Sequence, residues 1–203
     1  MKEISTIFCD IGGVCLSNGW DHISREKACK EFSLDYEEME RRHKPVFKQF
    51  EKGKFTLDEY LNSVIFYKER KFTKKDFIDF MYSQSLPFNS SLNIIQKLST
   101  NSKYLLATIN NESRELNNYR ISRFGLDKYF RSFFSSCYLG IRKPESEIFH
   151  LALNVLHKNP ENCLFIDDRE ENYHSSRTTG MHSILLDEPE NLQERLEEYG
   201  VEI

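Results

Sequence analysis

Charged and polar residues suited to binding a metal and a phosphoryl group follow apolar runs at several places in the sequence. Asp10 ends the first apolar run and precedes a glycine pair. The other residues are Thr108 with Asn110 and Asn111, Lys143, and the pair Asp167-Asp168. Adjacent carboxylates after a buried strand are costly unless a cation compensates them, and such hard oxygen ligands suit Mg²⁺. A hydroxyl, a lysine and backbone amides suit the outer oxygens of a phosphoryl group.

Each of these residues also has an ordinary structural interpretation that the sequence leaves open. Asp10 is compatible with a solvated aspartate in a turn, and Asp167-Asp168 with the N-cap of the following helix. Taken alone, Lys143 is typical of a surface lysine, and Thr108 is typical of a strand-end hydroxyl that bonds to the backbone. The occurrence of all these features in one chain, in this order, favours a shared site.

The elements that must position these residues alternate between strand and helix patterns. Apolar runs predict a first strand that ends near Asp10 and four further strands at residues 103–108, 130–135, 163–166 and 182–186. Helical patterns lie between them at residues 92–98, 113–124, 146–156 and 171–179. Such alternation predicts an α/β fold with a parallel sheet and helices on both faces. Ligands of such sheets bind outside the carboxyl ends of the strands.

A long helical insertion separates the first predicted strand from the second. Asp35, Thr56 and Thr73 mark helix starts, and Gly53 marks a break between two helices. The spacing of the large apolar residues is more typical of a core than of a binding surface. These residues are Phe47, Phe50, Tyr60, Leu61, Ile65, Phe66, Phe77, Phe80 and Met81. We predict a helical bundle over residues 17–86, inserted into an α/β core of residues 1–16 and 87–203.

Length, charge and cysteine content restrict the class of protein. The 203 residues suffice for a domain with an insertion, and a net charge of −4 without a basic block disfavours nucleic-acid partners. The five scattered cysteines favour reduced thiols over disulfides or a zinc site. The N-terminus lacks a cationic region followed by an apolar core, and no apolar run reaches membrane length. These features predict a cytoplasmic protein without a membrane partner.

These motifs together resemble the haloacid-dehalogenase-type hydrolase superfamily, in the branch whose helical cap follows the first motif. Asp10-Ile11-Gly12-Gly13-Val14 is similar to the first motif, and Phe165-Ile166-Asp167-Asp168 is similar to the fourth. Thr108 and Lys143 occupy the positions of the second and third motifs. The resemblance covers essentially the whole chain. It implies a Rossmann-like core, a Mg²⁺-dependent phosphatase that acts on a small phosphorylated metabolite, and a monomer or homodimer.

The resemblance also implies a role for each matching residue. Asp10 would attack phosphorus and become a transient aspartyl phosphate. The implied Mg²⁺ ligands are Asp10, the Gly12 carbonyl, Asp167 and Asp168. The implied phosphoryl-binding residues are Thr108, Lys143 and the neighbouring amides Asn110 and Asn111. The cap would exclude water and contact the rest of the substrate.

Gly12 departs from the usual first motif, in which a second aspartate serves as general acid and base. Such groups are worth about 10²–10⁴ in rate, so we predict slow turnover. Replacing Gly12 by aspartate is then expected to accelerate the hydrolysis of alkyl phosphates, which need a proton donor most. A non-catalytic protein that binds a phosphoryl ligand is the alternative. A dehalogenase is less favoured, because attack on carbon has no use for the pair Asp167-Asp168.

Overall fold

A parallel sheet forms the centre of the molecule. The computed structural model describes residues 3–203, and in this part of the chain five strands pair in the order β3-β2-β1-β4-β5. The strands are β1 (Thr6–Cys9), β2 (Leu105–Asn110), β3 (Ser132–Ser135), β4 (Cys163–Asp167) and β5 (His182–Leu185). All four strand pairs are parallel, which confirms the predicted α/β class. Strand β2 continues two residues beyond its predicted end at Thr108.

Helices connect consecutive strands and cover both faces of the sheet. After the first strand they are α1 (His22–Glu31), α2 (Tyr36–His43), α3 (Phe47–Glu51), α4 (Leu57–Val64), α5 (Lys74–Ser83) and α6 (Asn89–Thr100). The others are α7 (Arg114–Phe124), α8 (Ser136–Leu139), α9 (Ser146–Val155), α10 (Glu170–Thr178) and α11 (Leu192–Glu197). The sequence pattern did not predict the short helix α8. Among residues 3–203, no helix combines the length and the apolar character that crossing a membrane requires.

Alternate side chains of the central strands enter two separate apolar layers. Ile7 of β1 packs with residues of α6 and α11 on one face of the sheet. Phe8, the next residue, packs with residues of α9 on the other face. Buried parallel strands are apolar on both faces for this reason, which is why β1 reads as a continuous apolar run.

Helices α1 to α5, which we call the helical segment, have an apolar core of their own. Fully buried side chains of this core include Tyr60, Leu61, Phe77 and Met81. The helix starts follow the predicted capping chemistry: Thr56 and Thr73 each form a reciprocal capping box. The chain enters and leaves the helical segment at adjacent points, because Leu16 forms an antiparallel bridge with Pro87.

The helical segment contacts the rest of the molecule beside helix α8. Glu51 pairs with Arg142 at 2.8 Å, and its carbonyl accepts a hydrogen bond from Ser136 Oγ at 2.7 Å. Gly53 lies so close to helix α8 that a β-carbon there would be 2.1 Å from the carbonyl oxygen of Cys137. Its backbone is left-handed, with φ of 68°. Glycine therefore permits a turn and a close approach at one position.

We expect Gly53→Ala to destabilise the protein more than the matched change Gly200→Ala. Gly200 has nearly the same φ, 70°, but open space around its α-carbon. Both substitutions carry the cost of a left-handed alanine, and only Gly53→Ala adds a steric clash, which typically costs about 1–3 kcal/mol. Urea unfolding of both variants measures the difference. Equal losses of unfolding free energy would contradict the close contact with Cys137.

Candidate active site

The sheet topology brings the ends of β1 and β4 together. Cys9 is in register with Ile166, and the Asp10 N–H donates to the Ile166 carbonyl at 2.8 Å. Asp10 therefore stands level with Asp167. The connection from β1 leads to β2 on one side, whereas β4 lies on the other side. Ligands of open α/β sheets bind at such switch points.

Three carboxylates and one ammonium group converge at this edge of the sheet. Oxygen atoms of Asp10, Asp167 and Asp168 lie within 4.8 Å of one another. Lys143 Nζ is 2.9 Å from Asp10 Oδ2 and 2.6 Å from Asp167 Oδ2. Lys143 is only 1% exposed, so it is not the surface lysine that its sequence position alone would indicate. Its charge compensates two buried carboxylates that would otherwise repel each other.

Side-chain amides hold Lys143 and Asp167 in place. Asn111 donates to the Lys143 carbonyl at 2.8 Å and accepts from the Lys143 N–H at 2.8 Å. Asn172 Nδ2 donates to both carboxylate oxygens of Asp167, at 2.9 and 3.1 Å. Asn172, two residues into helix α10, was not among the predicted site residues. The N-cap of that helix is Arg169, not Asp167 or Asp168.

Asp168 retains one carboxylate oxygen without a partner. Its Oδ2 accepts from Asn18 Nδ2 at 2.9 Å, whereas Oδ1 is buried and has no hydrogen-bond donor among the described residues. Gly13 makes this arrangement possible: its φ is 75°, and a β-carbon there would lie 2.1 Å from Asp168 Cγ. An unpaired buried carboxylate oxygen beside two further carboxylates fits a divalent cation.

Asn18 occupies the space beside Gly12. A β-carbon on Gly12 would lie 2.8 Å from Asn18 Oδ1, and Asn18 is itself bonded to Asp168. The backbone φ of Gly12 is not in the left-handed region. The obstacle to an aspartate at this position is therefore a neighbouring side chain and not backbone strain. An aspartate at position 12 therefore requires the Asn18 side chain to move, and the effect of Gly12→Asp on turnover stays a prediction.

Thr108, which the sequence predicted as a phosphoryl contact, lies in register with Cys9, one residue before Asp10. It is fully buried within β2, and its hydroxyl donates to Asn110 Oδ1 at 3.3 Å. Asn110, two residues further on the same face, ends the strand and lines the cavity. Asn110 also accepts from Ser135 and donates to Asn117, both at 2.9 Å. Thr108 thus supports a residue that is at the edge of the sheet.

Burial and neighbouring charges shift the titration of the central groups. Burial raises the pKa of Asp10 to about 7: Lys143 partly opposes this increase, and Asp167 and Asp168 add to it. For Lys143, burial alone would lower the pKa, but Asp10 and Asp167 raise it above its ordinary value. The ammonium is therefore charged at neutral pH, and Asp10 needs further positive charge to be fully ionised.

A cavity of about 330 Å³ connects this cluster with the helical segment. Its walls on the side of the helical segment include Trp20, Arg25, His43, Phe47 and Phe50. Phe47 was predicted to belong to the core, but it is half-buried and stacks on His43 with ring centroids 5.2 Å apart. Apolar periodicity does not separate the two roles, because a cavity wall and a core both need apolar side chains on one helix face.

Comparison with known proteins identifies the family of the chain. The model of the haloacid dehalogenase-like hydrolases matches residues 4–175. The chain belongs to this family. A predicted HAD-like family hydrolase from Porphyromonas gingivalis superposes with a TM-score of 0.76 and 26% identity, over 98% of this chain and 99% of that one. The HAD family enzyme BT-2542 from Bacteroides thetaiotaomicron, solved as a magnesium complex, superposes with a TM-score of 0.79 and 22% identity, over 91% and 94% of the two chains.

Among curated relatives, this HAD-like hydrolase matches flavin mononucleotide hydrolase 1 of Arabidopsis thaliana. The two are 26% identical over 171 residues, which is 81% of this chain and 66% of that protein. The match to mouse acyl-CoA dehydrogenase family member 10 is 37% identical over 70 residues, 34% of this chain and 6% of that protein. The chain therefore spans less than two thirds of these relatives.

We expect Lys143→Met to destabilise the HAD-like fold most strongly at high pH. Removing one partner of a buried ion pair typically costs about 3–5 kcal/mol, because the other charge stays buried. Without the ammonium, the pKa of Asp10 in the folded protein rises further above its unfolded value. Such a group takes up protons on folding, so its contribution to stability is lost as the pH rises through the folded pKa. Urea unfolding at pH 6 and pH 8 should therefore show the larger loss at pH 8.

Lys103→Met is the matched control for this experiment. Lys103 also contacts two carboxylates, those of Glu3 at 3.1 Å and Glu202 at 3.0 Å, but on the surface. Solvent screens such pairs, so a far smaller and less pH-dependent change is expected. An equal loss in both variants would show that charge compensation by Lys143 contributes little.

Proposed function

We propose that the chain is a Mg²⁺-dependent phosphomonoester hydrolase that acts on a small phosphorylated metabolite. The convergence of Asp10, Asp167, Asp168 and Lys143 at one edge of the sheet, beside the cavity, is the observation that supports this most. BT-2542 has been solved with magnesium and inorganic phosphate, and the Arabidopsis relative is named for the hydrolysis of flavin mononucleotide. These are properties of those proteins, and they favour the same chemistry here.

We also propose that residues 17–86 act as a cap over a catalytic core of residues 1–16 and 87–203. Separate apolar cores in the two parts support this division, as does the bridge between Leu16 and Pro87 where the connections run side by side. A cap of this kind would exclude water from the cavity and contact the organic part of the substrate.

The residues that would hold Mg²⁺ are Asp10, the Gly12 carbonyl, Asp167 and Asp168. The buried, unpartnered Oδ1 of Asp168 supports this assignment, because a cation would satisfy it. When bound, Mg²⁺ supplies positive charge that polarises the phosphoryl group and favours the ionised form of the carboxylates.

In the proposed reaction, a carboxylate oxygen of Asp10 forms a bond to phosphorus while the bond between phosphorus and the ester oxygen breaks. Lys143 neutralises charge around Asp10 and binds a phosphoryl oxygen. Asn111 keeps Lys143 in position, and Asn110 presents the end of β2 with support from Thr108. Water then attacks the aspartyl phosphate, which releases inorganic phosphate and regenerates Asp10.

A protein that binds a phosphoryl ligand without turnover is the second candidate function. The observation that favours it is that Gly12 stands where the usual first motif has an acidic residue, and that Asn18 fills the adjacent space. A dehalogenase is disfavoured, because attack on carbon has no use for the pair Asp167-Asp168. The L-2-haloacid dehalogenase of Xanthobacter autotrophicus shares the fold alone, at 13% identity and a TM-score of 0.61.

Asp10→Asn is expected to abolish the Mg²⁺-dependent hydrolysis of p-nitrophenyl phosphate without unfolding the protein. Asparagine keeps the shape of the side chain but lacks the anionic oxygen that attacks phosphorus. Asp187→Asn is the control, because Asp187 follows strand β5 of the same sheet and is exposed. Activity is measured with and without Mg²⁺, with circular dichroism to verify folding. Retained turnover in Asp10→Asn would refute the nucleophile, and absence of turnover in the wild type, despite bound Mg²⁺, would favour the non-catalytic alternative.

The double variant Gly12→Asp, Asn18→Ala is expected to accelerate the hydrolysis of alkyl phosphates by about 10²-fold, the lower end of general-acid effects. Gly12→Asp alone should do less, because the new aspartate and the amide of Asn18 compete for the same space. Asn18→Ala alone should also do less, because it adds no proton donor. Aryl phosphates should gain little, since their leaving groups hardly need a proton. A series of leaving groups measured on all four proteins tests this. Parallel slopes would show that another residue already donates the proton.

A further inference from the structure

A buried chain of hydrogen bonds runs through the cavity wall formed by the helical segment. Trp20 Nε1 is 2.8 Å from the hydroxyl of Tyr60, and that hydroxyl is 2.7 Å from His43 Nδ1. Tyr60 and His43 are 1% and 7% exposed. Trp20 and His43 line the cavity directly, and Tyr60 connects them from behind. None of the three residues takes part in the proposed phosphoryl chemistry.

The chemistry of these groups determines which way each proton points. An indole N–H can only donate, so the oxygen of Tyr60 accepts from Trp20. The single hydroxyl hydrogen of Tyr60 then has His43 Nδ1 as its available acceptor, since a buried hydroxyl rarely stays unpaired. Nδ1 is therefore an acceptor. A neutral imidazole that accepts at Nδ1 carries its own hydrogen on Nε2.

The environment of His43 keeps the imidazole neutral. Burial lowers its pKa to about 4, and the neighbouring charge of Arg25 contributes in the same direction, against the opposing effect of Glu40. At neutral pH the ring is thus a donor at Nε2 and an acceptor at Nδ1. Phe47 stacks against the ring and restricts its orientation.

Nε2 is the part of this chain that remains free. In the described part of the protein it has no hydrogen-bond partner, although His43 lines the cavity. Two ion pairs lie nearby, Arg25 with Glu40 at 2.5 Å and Glu51 with Arg142 at 2.8 Å, and Lys44 also lines the cavity. The part of the cavity wall formed by the helical segment therefore offers an oriented, uncharged donor beside these ion pairs.

We propose that His43 is a specificity-determining residue whose Nε2–H donates a hydrogen bond to an acceptor atom on the organic part of the substrate. The proposal rests on the proposed phosphatase function and refines it. It assigns the substrate to phosphomonoesters that carry an uncharged acceptor, such as a carbonyl, a hydroxyl or a ring nitrogen. A substrate without an acceptor would leave the N–H unpaired in a closed site, and a site of this kind discriminates strongly for that reason.

The first test addresses the direction of the hydrogen bonds and needs no activity. Two-bond ¹H–¹⁵N correlation spectra distinguish the protonated from the unprotonated nitrogen of a histidine ring. The wild type should show His43 with hydrogen on Nε2 alone, and Tyr60→Phe, which removes the hydroxyl hydrogen, should lose this single tautomer. Hydrogen on Nδ1 in the wild type would overturn the proposal.

The second test compares substrates and matched variants. His43→Asn keeps an oxygen that can accept from Tyr60 but has no donor at the position of Nε2, whereas the longer His43→Gln can place an amide N–H there. Benzyl phosphate is the probe without an acceptor, and flavin mononucleotide, sugar phosphates and nucleoside monophosphates are the probes with one. His43→Asn should lower kcat/KM for the best acceptor-bearing probe about tenfold more than for benzyl phosphate, mainly through KM.

His43→Gln should recover part of this loss, and His150→Asn, on the exposed side of helix α9, should change neither class of substrate. An equal loss for every probe, or the same loss in the Asn and Gln variants, would overturn the proposal and indicate a purely structural histidine. If the wild type hydrolyses no probe, the phosphatase function fails, while the tautomer spectrum still decides whether His43 offers a donor to the cavity.

Discussion

The placement of a buried lysine between two buried carboxylates is the interaction on which the rest of this structure depends. Asp10 and Asp167 end neighbouring strands, so the sheet topology forces their carboxylates together. Lys143 makes that arrangement possible by contacting both. The loss of the lysine charge would leave both carboxylates buried and uncompensated. Charge compensation by Lys143 therefore constrains the position of the loop before helix α9.

The same loop also attaches the helical segment. Arg142 pairs with Glu51 and Glu145 pairs with Lys52, so residues on either side of Lys143 contact helix α3 or its C-cap. Asn111 then ties the Lys143 backbone to the end of β2. The groups that neutralise the carboxylates and the groups that seat the helices over them are thus parts of one short segment.

The two sides of the cavity have different chemical character. The side formed by the sheet carries formal charge and suits a phosphoryl group with a cation. The side formed by the helical segment has the ion pair of Arg25 and Glu40, aromatic rings and the uncharged donor of His43. In the function that we propose, reactivity and selectivity therefore belong to different parts of the chain. At the position where the family pattern has a second aspartate, this chain has Gly12, with the Asn18 side chain beside it.

Local sequence determined the positions of the strands, the residues at their ends and the start of at least one helix. Apolar runs located the strands and placed Asp10 and Asp167 at their ends, and the spacing at Thr56 predicted a capped helix, because burial and capping are properties of neighbouring residues. Contacts between distant segments were decided only by the tertiary structure. Asn18 fills the space beside Gly12 because it bonds to Asp168, 150 residues away in the chain. The proposed tautomer of His43 likewise follows from its hydrogen bond to Tyr60 and from the hydrogen bond between Tyr60 and Trp20. No local sequence pattern predicts that these three residues lie together.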